Sequence, residues 1–435
     1  MSSEDKLLVI GAGPAGLGVA RALKDNGIAY DQVEAANGLG GNWHHGVYET
    51  VHIISSRRAT EFPEFPMPAN YPDFPGRQQM LEYLDAYSRH FGLFDQIEFS
   101  KIVKNVAPSP DGAWRVGFAP GESRDYRGII VCTGHHWDPR WPSYPGALTA
   151  QFIHSKDYKT PDQLRGKRVL VIGGGNSACD IVSEAARVGA SAHLSLRRGY
   201  WYLPKVLFGR PVTDLAKHYT PVWLQRLILR SALKVAIGGY RKYGLPDPDH
   251  KLFERHPAIS SELFYYLKHG KIVVHPDVHK FDGNCVEFVD KTREYFDIVV
   301  AATGFHLGFP CLAPGLVLVN GPVVEVYGYM IPAGHRHLYI VGWMQPRYGF
   351  GPLIAPMVNL LAQIIRTQDV MRNPIGSVLK RLGQRAPRSN IFDPFQLKLG
   401  IELIRRMLPV IRLVDRLITL RPKDPPALNK NSGFE

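Results

Sequence analysis

The sequence predicts an α/β fold made of two Rossmann-like dinucleotide-binding units, the second inserted into the first, with a helical C-terminal tail. Three observations carry this expectation. LLVIGAGPAGLGVA, Leu7 to Ala20, is a short apolar run, a glycine turn and the start of a helix. LVIGGGNSACDIV, Leu170 to Val182, repeats that plan about 160 positions later. RGIIVCTG and YFDIVVAATGF, Tyr295 to Phe305, form a second matched pair, each a β-branched run ending in Thr-Gly. Apolar strands alternating with helical stretches belong to parallel sheets built from crossover units.

The first unit opens with a strand over Lys6 to Ile10, a helix from about Pro14 to Asn26 and a second strand ending near Glu34. A Pro-rich, aromatic stretch follows, from GGNWHHGVYET to SSRRATEFPEFPMPANYPDFPG, and loops of this kind usually cover a site. Met80, Leu81, Leu84, Tyr87 and Phe91 recur at helical spacing, and alternation predicts a strand over Trp114 to Phe118. Pro139, Pro142 and Pro145 stiffen CTGHHWDPRWPSYPG as a linker. In the second unit the next strand is Ala192 to Arg198, and residues 200–270 read as a mostly helical insert. HLYIVGW, His337 to Trp343, reads as a buried strand before a helix over Leu353 to Arg366. The Thr-Gly echo points to a discontinuous first unit. The expected boundaries are 1–150 for its first part, 151–290 for the second unit, 291–371 for the resumed first unit and 372–435 for a separate tail.

An apolar content of 45% is ordinary for a globular chain. No 18-residue uncharged apolar run exists, and MSSEDK lacks the features of a secretory signal, so a cytoplasmic location is expected. Cys132, Cys179, Cys285 and Cys311 are scattered, which disfavours a disulfide framework, a thiol redox pair and a zinc site. His44/His45 and His135/His136 are adjacent pairs and poor metal ligands, so no metal is expected. The net charge of +13 suits an anionic cofactor or an anionic lipid; no nucleic-acid motif accompanies it, and nucleic acid is not an expected partner.

In GxGxxG the first glycine permits the turn, the second lets backbone approach a pyrophosphate, and the third lets helix pack on strand. Gly11, Gly13 and Gly16 fill those places, with Pro14 and Ala15 opening the helix, whose N-terminus favours phosphate. Glu34, at the end of the second strand, can accept from ribose hydroxyls. The second copy has Gly173, Gly175 and Ala178 with Asn176 and Ser177, and its following strand ends in Arg197 and Arg198. Guanidinium groups hold a 2′-phosphate where a carboxylate repels it, which favours NADPH over NADH. Two fingerprints thus serve two dinucleotides.

Beyond the fingerprints, LGGNW, EFPMPANYPDFPG, QMLEYLDAY, VCTGHHWDPRWP, FIHSKDYKTP, LRRGYWYLPK, YGLPDPDH with HPAIS, and VVAATGF follow in order over roughly residues 5–366. In this series the chain resembles the flavin-containing monooxygenases, the class B flavoprotein oxygenases. The resemblance implies FAD at the first fingerprint and NADPH at the second. It adds Gly40, Gly41, Asn42 and Trp43, then Thr133 and Gly134, then Thr303 and Gly304, as cofactor contacts. The family signature falls on LTAQFIHSKDYK, which makes His154 and Tyr158 site candidates, with Leu148 and Ala150 replacing its Phe and Gly. Where the family often has an Asn near the flavin, this chain has Ile54 or Ser55. Trp43 and Phe65 would form part of a dry cover over the site.

The implied reaction is reduction of FAD by NADPH, uptake of O2 as a C4a-hydroperoxyflavin and transfer of one oxygen atom to a soft nitrogen or sulfur nucleophile of a small organic substrate. The flavin does the hard chemistry and the protein supplies position and dryness. A Baeyer–Villiger oxygenation of ketones and, in another class, an NADPH oxidase or non-catalytic FAD-bound scaffold are the alternatives. In the tail, Leu397, Ile401, Ile404, Leu408, Ile411, Val414 and Ile418 recur at helical spacing, Pro409 bends the helix, and Arg405, Arg406, Arg412 and Arg416 add charge. Such a helix suits peripheral membrane contact, docking on the protein's own surface, or a homodimer.

Overall fold

A computed structural model describes residues 2–215 and 221–418. They form a mixed α/β fold around two five-stranded sheets, each parallel throughout. The first sheet runs Leu338–Ile340, Gly128–Val131, Leu7–Ile10, Tyr30–Val33, Ile97–Glu98. The second runs Ile272–His275, Ser191–Ser195, Arg168–Ile172, Ile298–Ala301, Gln151–His154. Each fingerprint strand is therefore central in its sheet. Leu7–Ile10 and Gly128–Val131 are buried at every position, as strands covered on both faces must be, which is why they read as unbroken apolar runs. The fingerprint helices are Pro14–Asp25 and Asn176–Val188. Beside each parallel sheet lies a three-stranded antiparallel one, Val103–Pro108, Trp114–Phe118 and Ser123–Tyr126 in one case and Val278–Asp282, Cys285–Phe288 and Arg293–Tyr295 in the other.

Three expectations need correction. Ile298–Ala301 joins the second sheet, between Arg168–Ile172 and Gln151–His154, so the boundary at 290/291 cuts through that unit. Its apolar run fits either sheet; beside it, Asp297 accepts from the Arg168 amide at 2.7 Å and pairs with its guanidinium at 3.1 Å. The chain returns to the first sheet with Leu338–Ile340, paired in parallel with Gly128–Val131.

The 200–270 insert is less helical than its composition implies. It holds the helices Val222–Ala236 and Glu262–Lys268, but Tyr202–Leu203 pairs with Ala258–Ile259 and Val206–Leu207 with Arg210–Pro211. Pro204, Pro211, Pro221, Pro246, Pro248 and Pro257 break it into short pieces. Its residues 216–220 lie outside the described residues.

The tail is not separate. The C-terminal helix Pro394–Leu417, with Pro409 inside it, lays Leu397, Ile401, Ile404, Leu408 and Ile411 into the core of the first unit. Asp393 caps it by accepting from the amides of Phe395 and Gln396, and buried Asp415 accepts from those of Arg372 and Asn373. The tail beyond Ile418 lies outside the described residues.

Candidate active site

The two glycine turns divide their work by position. Gly11 and Gly173 take left-handed conformations, φ +108° and +131°, and a Cβ there would sit 2.6 Å and 2.3 Å from the carbonyl oxygens of Cys132 and Ala302. A Cβ on Gly16 would come within 2.0 Å of the Gly11 oxygen, so this glycine is what seats helix on strand. The middle glycines face space: a Cβ on Gly13 meets nothing nearer than 3.7 Å, and one on Gly175 meets nothing within 4 Å. Both are N-caps without a side-chain capping bond. Their first-turn N–H groups and the positive end of the helix dipole are thus left for an anion.

A cavity of about 1450 Å³ joins the two turns. Small-molecule sites usually occupy roughly 300–1,000 Å³, so this one has room for more than one such ligand. Gly11, Gly13, Pro14, Ala15, Glu34, Gly41, Asn42, Trp43, Thr133 and Gly134 line it on one side, and Gly175, Asn176 and Gly304 on the other. The Glu34 carboxylate accepts from the amides of Ala12 at 2.7 Å and Ala36 at 2.9 Å, which fixes it at the cavity wall. The Thr133 hydroxyl is buried with no partner among the described residues. An open cradle at Gly13, an anchored acid and an unsatisfied hydroxyl fit a bound dinucleotide.

Ile54 and Ser55 are also on the wall. The Thr60 hydroxyl donates to the Ser56 carbonyl at 2.9 Å, so at the 2.7 Å contact between Ser55 and Thr60 it is Ser55 that donates. Neither side chain therefore offers a hydrogen-bond donor to the cavity.

Several expected residues stand behind the wall. Gly16, Gly40, Gly173, Ser177, Ala178 and Thr303 do not line the cavity, and the Thr303 hydroxyl is spent on the Arg140 carbonyl. His154 and Tyr158, the site candidates from the family signature, are fully buried and do not line the cavity. His154 Nδ1 accepts from the Lys156 amide at 3.1 Å, so Nε2 carries the hydrogen and donates to the Gly304 carbonyl at 3.1 Å. Burial lowers its pKa, which keeps it neutral, and the ring holds the linker to the Thr-Gly turn rather than exchanging protons with a substrate. The Tyr158 hydroxyl donates to Glu184. Arg197 is exposed and Arg198 half-buried, both off the cavity, with no ion pair to either among the described residues. The strand before them ends at Ser195. Phe65 does not line the cavity: it packs tilted against Tyr83 and edge-on against Tyr87 and Phe91 in an aromatic cluster.

The wall also includes His135, His136, His256, Gln345 and Arg347, which the motifs did not mark as site residues. His135 donates from Nδ1 to the Gly342 carbonyl at 3.2 Å and accepts at Nε2 from the Gln345 amide at 2.9 Å. Burial, with a smaller push from His135 and His256, drives the His136 pKa down to about 3. Burial also lowers His45, against the opposing pull of Glu34. Neutral imidazoles accordingly line the cavity at physiological pH. The adjacent His-His pair after the Thr-Gly turn was the one available signal, but it does not distinguish a wall from a core.

Among known proteins, the family described as flavin-binding monooxygenase-like matches residues 4–369. Flavin-containing monooxygenase 5 of Rattus norvegicus is 31% identical, over 81% of this chain and 71% of its own. Dimethylaniline monooxygenase [N-oxide-forming] 2 of Mus musculus is 30% identical, over 90% of this chain and 79% of its own. A flavin-containing monooxygenase from Stenotrophomonas maltophilia shares the fold with a TM-score of 0.64 at 24% identity, over 85% of this chain and 99% of its own. So does cyclohexanone monooxygenase from Rhodococcus sp. Phi1 bound to NADP+, with a TM-score of 0.71 at 16% identity, over 94% of this chain and 98% of its own. With its two glycine turns opening onto one cavity and its match over most of its length, the chain belongs to the flavin-binding monooxygenase-like family and is a flavin-dependent monooxygenase.

Proposed function

We propose that this chain, an FAD- and NADPH-dependent monooxygenase, passes one oxygen atom of O2 to a soft nitrogen or sulfur centre of a small organic substrate. The other oxygen atom leaves as water, formed with the hydride of NADPH and one proton. The observation that carries the reading is the continuous cavity from Gly13 to Gly175, which puts two dinucleotides within reach of one reaction space. Bound FAD supplies the redox chemistry. Residues of the chain supply the rest. Gly13 and the first-turn amides after it bind pyrophosphate, Glu34 orients the ribose, and Met344, Phe350, Leu353, Ile354 and Met357 exclude water. The N-oxide-forming activity in the mouse relative's name supports nitrogen as acceptor. Amines, sulfides and ketones offered with NADPH decide the matter. O2-dependent NADPH oxidation with one oxygen added to a tertiary amine or sulfide is expected, and an ester from a ketone identifies the Baeyer–Villiger reaction instead. Equal NADPH oxidation by an artificial acceptor without O2 identifies a reductase.

The proposed flavin unit comprises residues 1–150 and the segment from about Cys311 to Leu417, and the NADPH unit lies between, up to the Thr-Gly turn at Thr303. The 2′-phosphate of NADPH falls to Arg197 and Arg198, a role supported by their place just past Ser195 and by the buried Arg198 Nε, which has no partner among the described residues. A hydrogen bond to a charged group contributes about 1.5–3 kcal/mol, so Ala at the contributing arginine weakens NADPH roughly 10- to 150-fold and leaves NADH nearly unchanged. Equal losses for both nucleotides remove the role.

The outer face of the C-terminal helix is proposed to meet an anionic membrane surface. Leu399, Leu403, Val410, Leu413 and Leu417 are exposed there, opposite the buried stripe, with Arg405, Arg406, Arg412 and Arg416 on the same helix. No helix among the described residues is long and apolar enough to cross a membrane. Sedimentation with anionic but not neutral vesicles is the expected result, lost on Leu403→Glu with Leu413→Glu. A dimeric mass without vesicle binding gives this face to a second copy.

A further inference from the structure

Asp180 and Glu184 stand one turn apart on the second fingerprint helix, Asn176–Val188, and neither pairs with a cation among the described residues. They receive hydroxyls instead. Tyr48 donates to Asp180 Oδ2 at 2.6 Å, while Thr50 and Tyr158 donate one to each oxygen of buried Glu184. Tyr48 and Thr50 end the loop that carries Asn42, Trp43 and His45 on the cavity wall.

That loop depends on side chains for its anchorage. The Trp43 carbonyl accepts from Arg77 Nε at 3.0 Å, and the same guanidinium donates to the His44 carbonyl. On the other side the His45 carbonyl accepts from Lys159 Nζ at 3.0 Å, and the Glu49 amide donates to the Lys159 carbonyl at 2.9 Å. One half of the loop is thus tied to the helix Arg77–His90, and the other half to the unit that holds the second fingerprint.

We infer that Asp180 and Glu184 are positioning residues, through which the helix that binds the nicotinamide nucleotide at Gly175 sets the loop 42–50 against the reaction cavity. The inference rests on the reading of the second turn as the NADPH site. Its physical basis is a rigid link: the helix whose N-terminus takes the pyrophosphate carries, one and two turns further on, the acceptors that hold the loop. The groups facing Asp180 are the Tyr48 hydroxyl from the loop, Glu184 and Arg187 from its own helix, and Glu262 from the helix Glu262–Lys268. Loss of water contact, reinforced by Glu184 and Glu262, raises the Asp180 pKa from 3.8 to about 7. The Tyr48 hydroxyl opposes this rise, because the bond it donates favours the carboxylate, so that bond strengthens as Asp180 ionises.

Amide hydrogen exchange over residues 42–50, measured on the FAD-loaded full chain with and without NADP+, tests this, with NADP+ affinity titrated separately. NADP+ is expected to slow exchange of the loop in the parent protein. A hydrogen bond to a charged group is worth at least about tenfold in an equilibrium, so Glu184→Ala should speed loop exchange by that factor or more. It should also abolish the NADP+ response while NADP+ still binds, and Glu184→Gln should restore most of it. Asp180→Asn should flatten the pH dependence of loop exchange once intrinsic rates are divided out. Should Glu184→Ala fail to fold, Tyr48→Phe, which removes one hydrogen bond, carries the same comparison. Unchanged loop exchange in these variants, or full NADP+ protection of the loop in them, overturns the inference. Failure of NADP+ to bind the parent protein removes the nucleotide reading and the inference with it, whereas binding without loop protection removes the inference alone.

Discussion

Gly13→Val gives a folded but colourless protein, and Gly16→Val gives no folded protein. The two positions lie three residues apart in one motif and differ in what a side chain would meet. At Gly13 the backbone is extended and the nearest atom to a Cβ is 3.7 Å away, so the apoprotein accommodates valine. The added methyl groups then occupy the path by which a pyrophosphate reaches the first-turn amides. Losing two such charge-assisted hydrogen bonds costs about 3–6 kcal/mol, roughly a hundredfold or more in FAD affinity. At Gly16 a Cβ would lie 2.0 Å from the Gly11 carbonyl oxygen, and that atom belongs to the turn joining central strand to helix. Backbone cannot yield there without separating the helix from the sheet. Flavin absorbance and thermal melting of both variants check the pair. Full yellow colour in Gly13→Val, or parental melting in Gly16→Val, contradicts the division of labour between the glycines.

Ending the chain after Ser389 abolishes cooperative folding. Leu397, Ile401, Ile404, Leu408 and Ile411 leave the core together. Each buried aliphatic side chain contributes about 1.5–3 kcal/mol, so the group contributes roughly 8–15 kcal/mol, comparable with the about 5–15 kcal/mol that holds a typical protein folded. The cut also strands the Arg347 guanidinium, which pairs with Asp393 at 3.0 Å on the cavity wall. Leu403→Glu and Leu413→Glu, on the exposed face of the same helix, should leave the melting temperature close to that of the parent. A truncated chain that melts cooperatively at the parental temperature refutes the assignment of this helix to the core.

Both fingerprints were legible because their logic is local: a turn, a close approach and a packing contact are each specified within six residues. Glu34 was legible for the same reason, since the end of the second strand lies beside the first turn. Ile298–Ala301 was not, because an apolar run states that a strand is buried and not beside which neighbour. The C-terminal helix displayed its apolar stripe openly, yet an amphipathic pattern is the same whether the stripe meets lipid or the chain's own core. His154 and Tyr158 were conspicuous through the signature motif, but only three-dimensional packing separates a residue on the wall from one behind it. The same limit applied to Arg197 and Arg198, which lie off the cavity, and to His136, whose burial no spacing rule reveals.

The first sheet is completed by Leu338–Ile340, about 200 residues after the strand Gly128–Val131 against which it lies. During synthesis at about 5–20 residues per second, Gly128–Val131 therefore waits roughly 10–40 seconds with one edge unpaired. All five strands of the intervening sheet emerge within that interval, so it can assemble first. An apolar strand with an open edge is a template for pairing with other chains, and the nascent protein carries one for as long as its middle takes to be made. Slowing synthesis across the middle of the gene should therefore cost more protein than slowing it near either end.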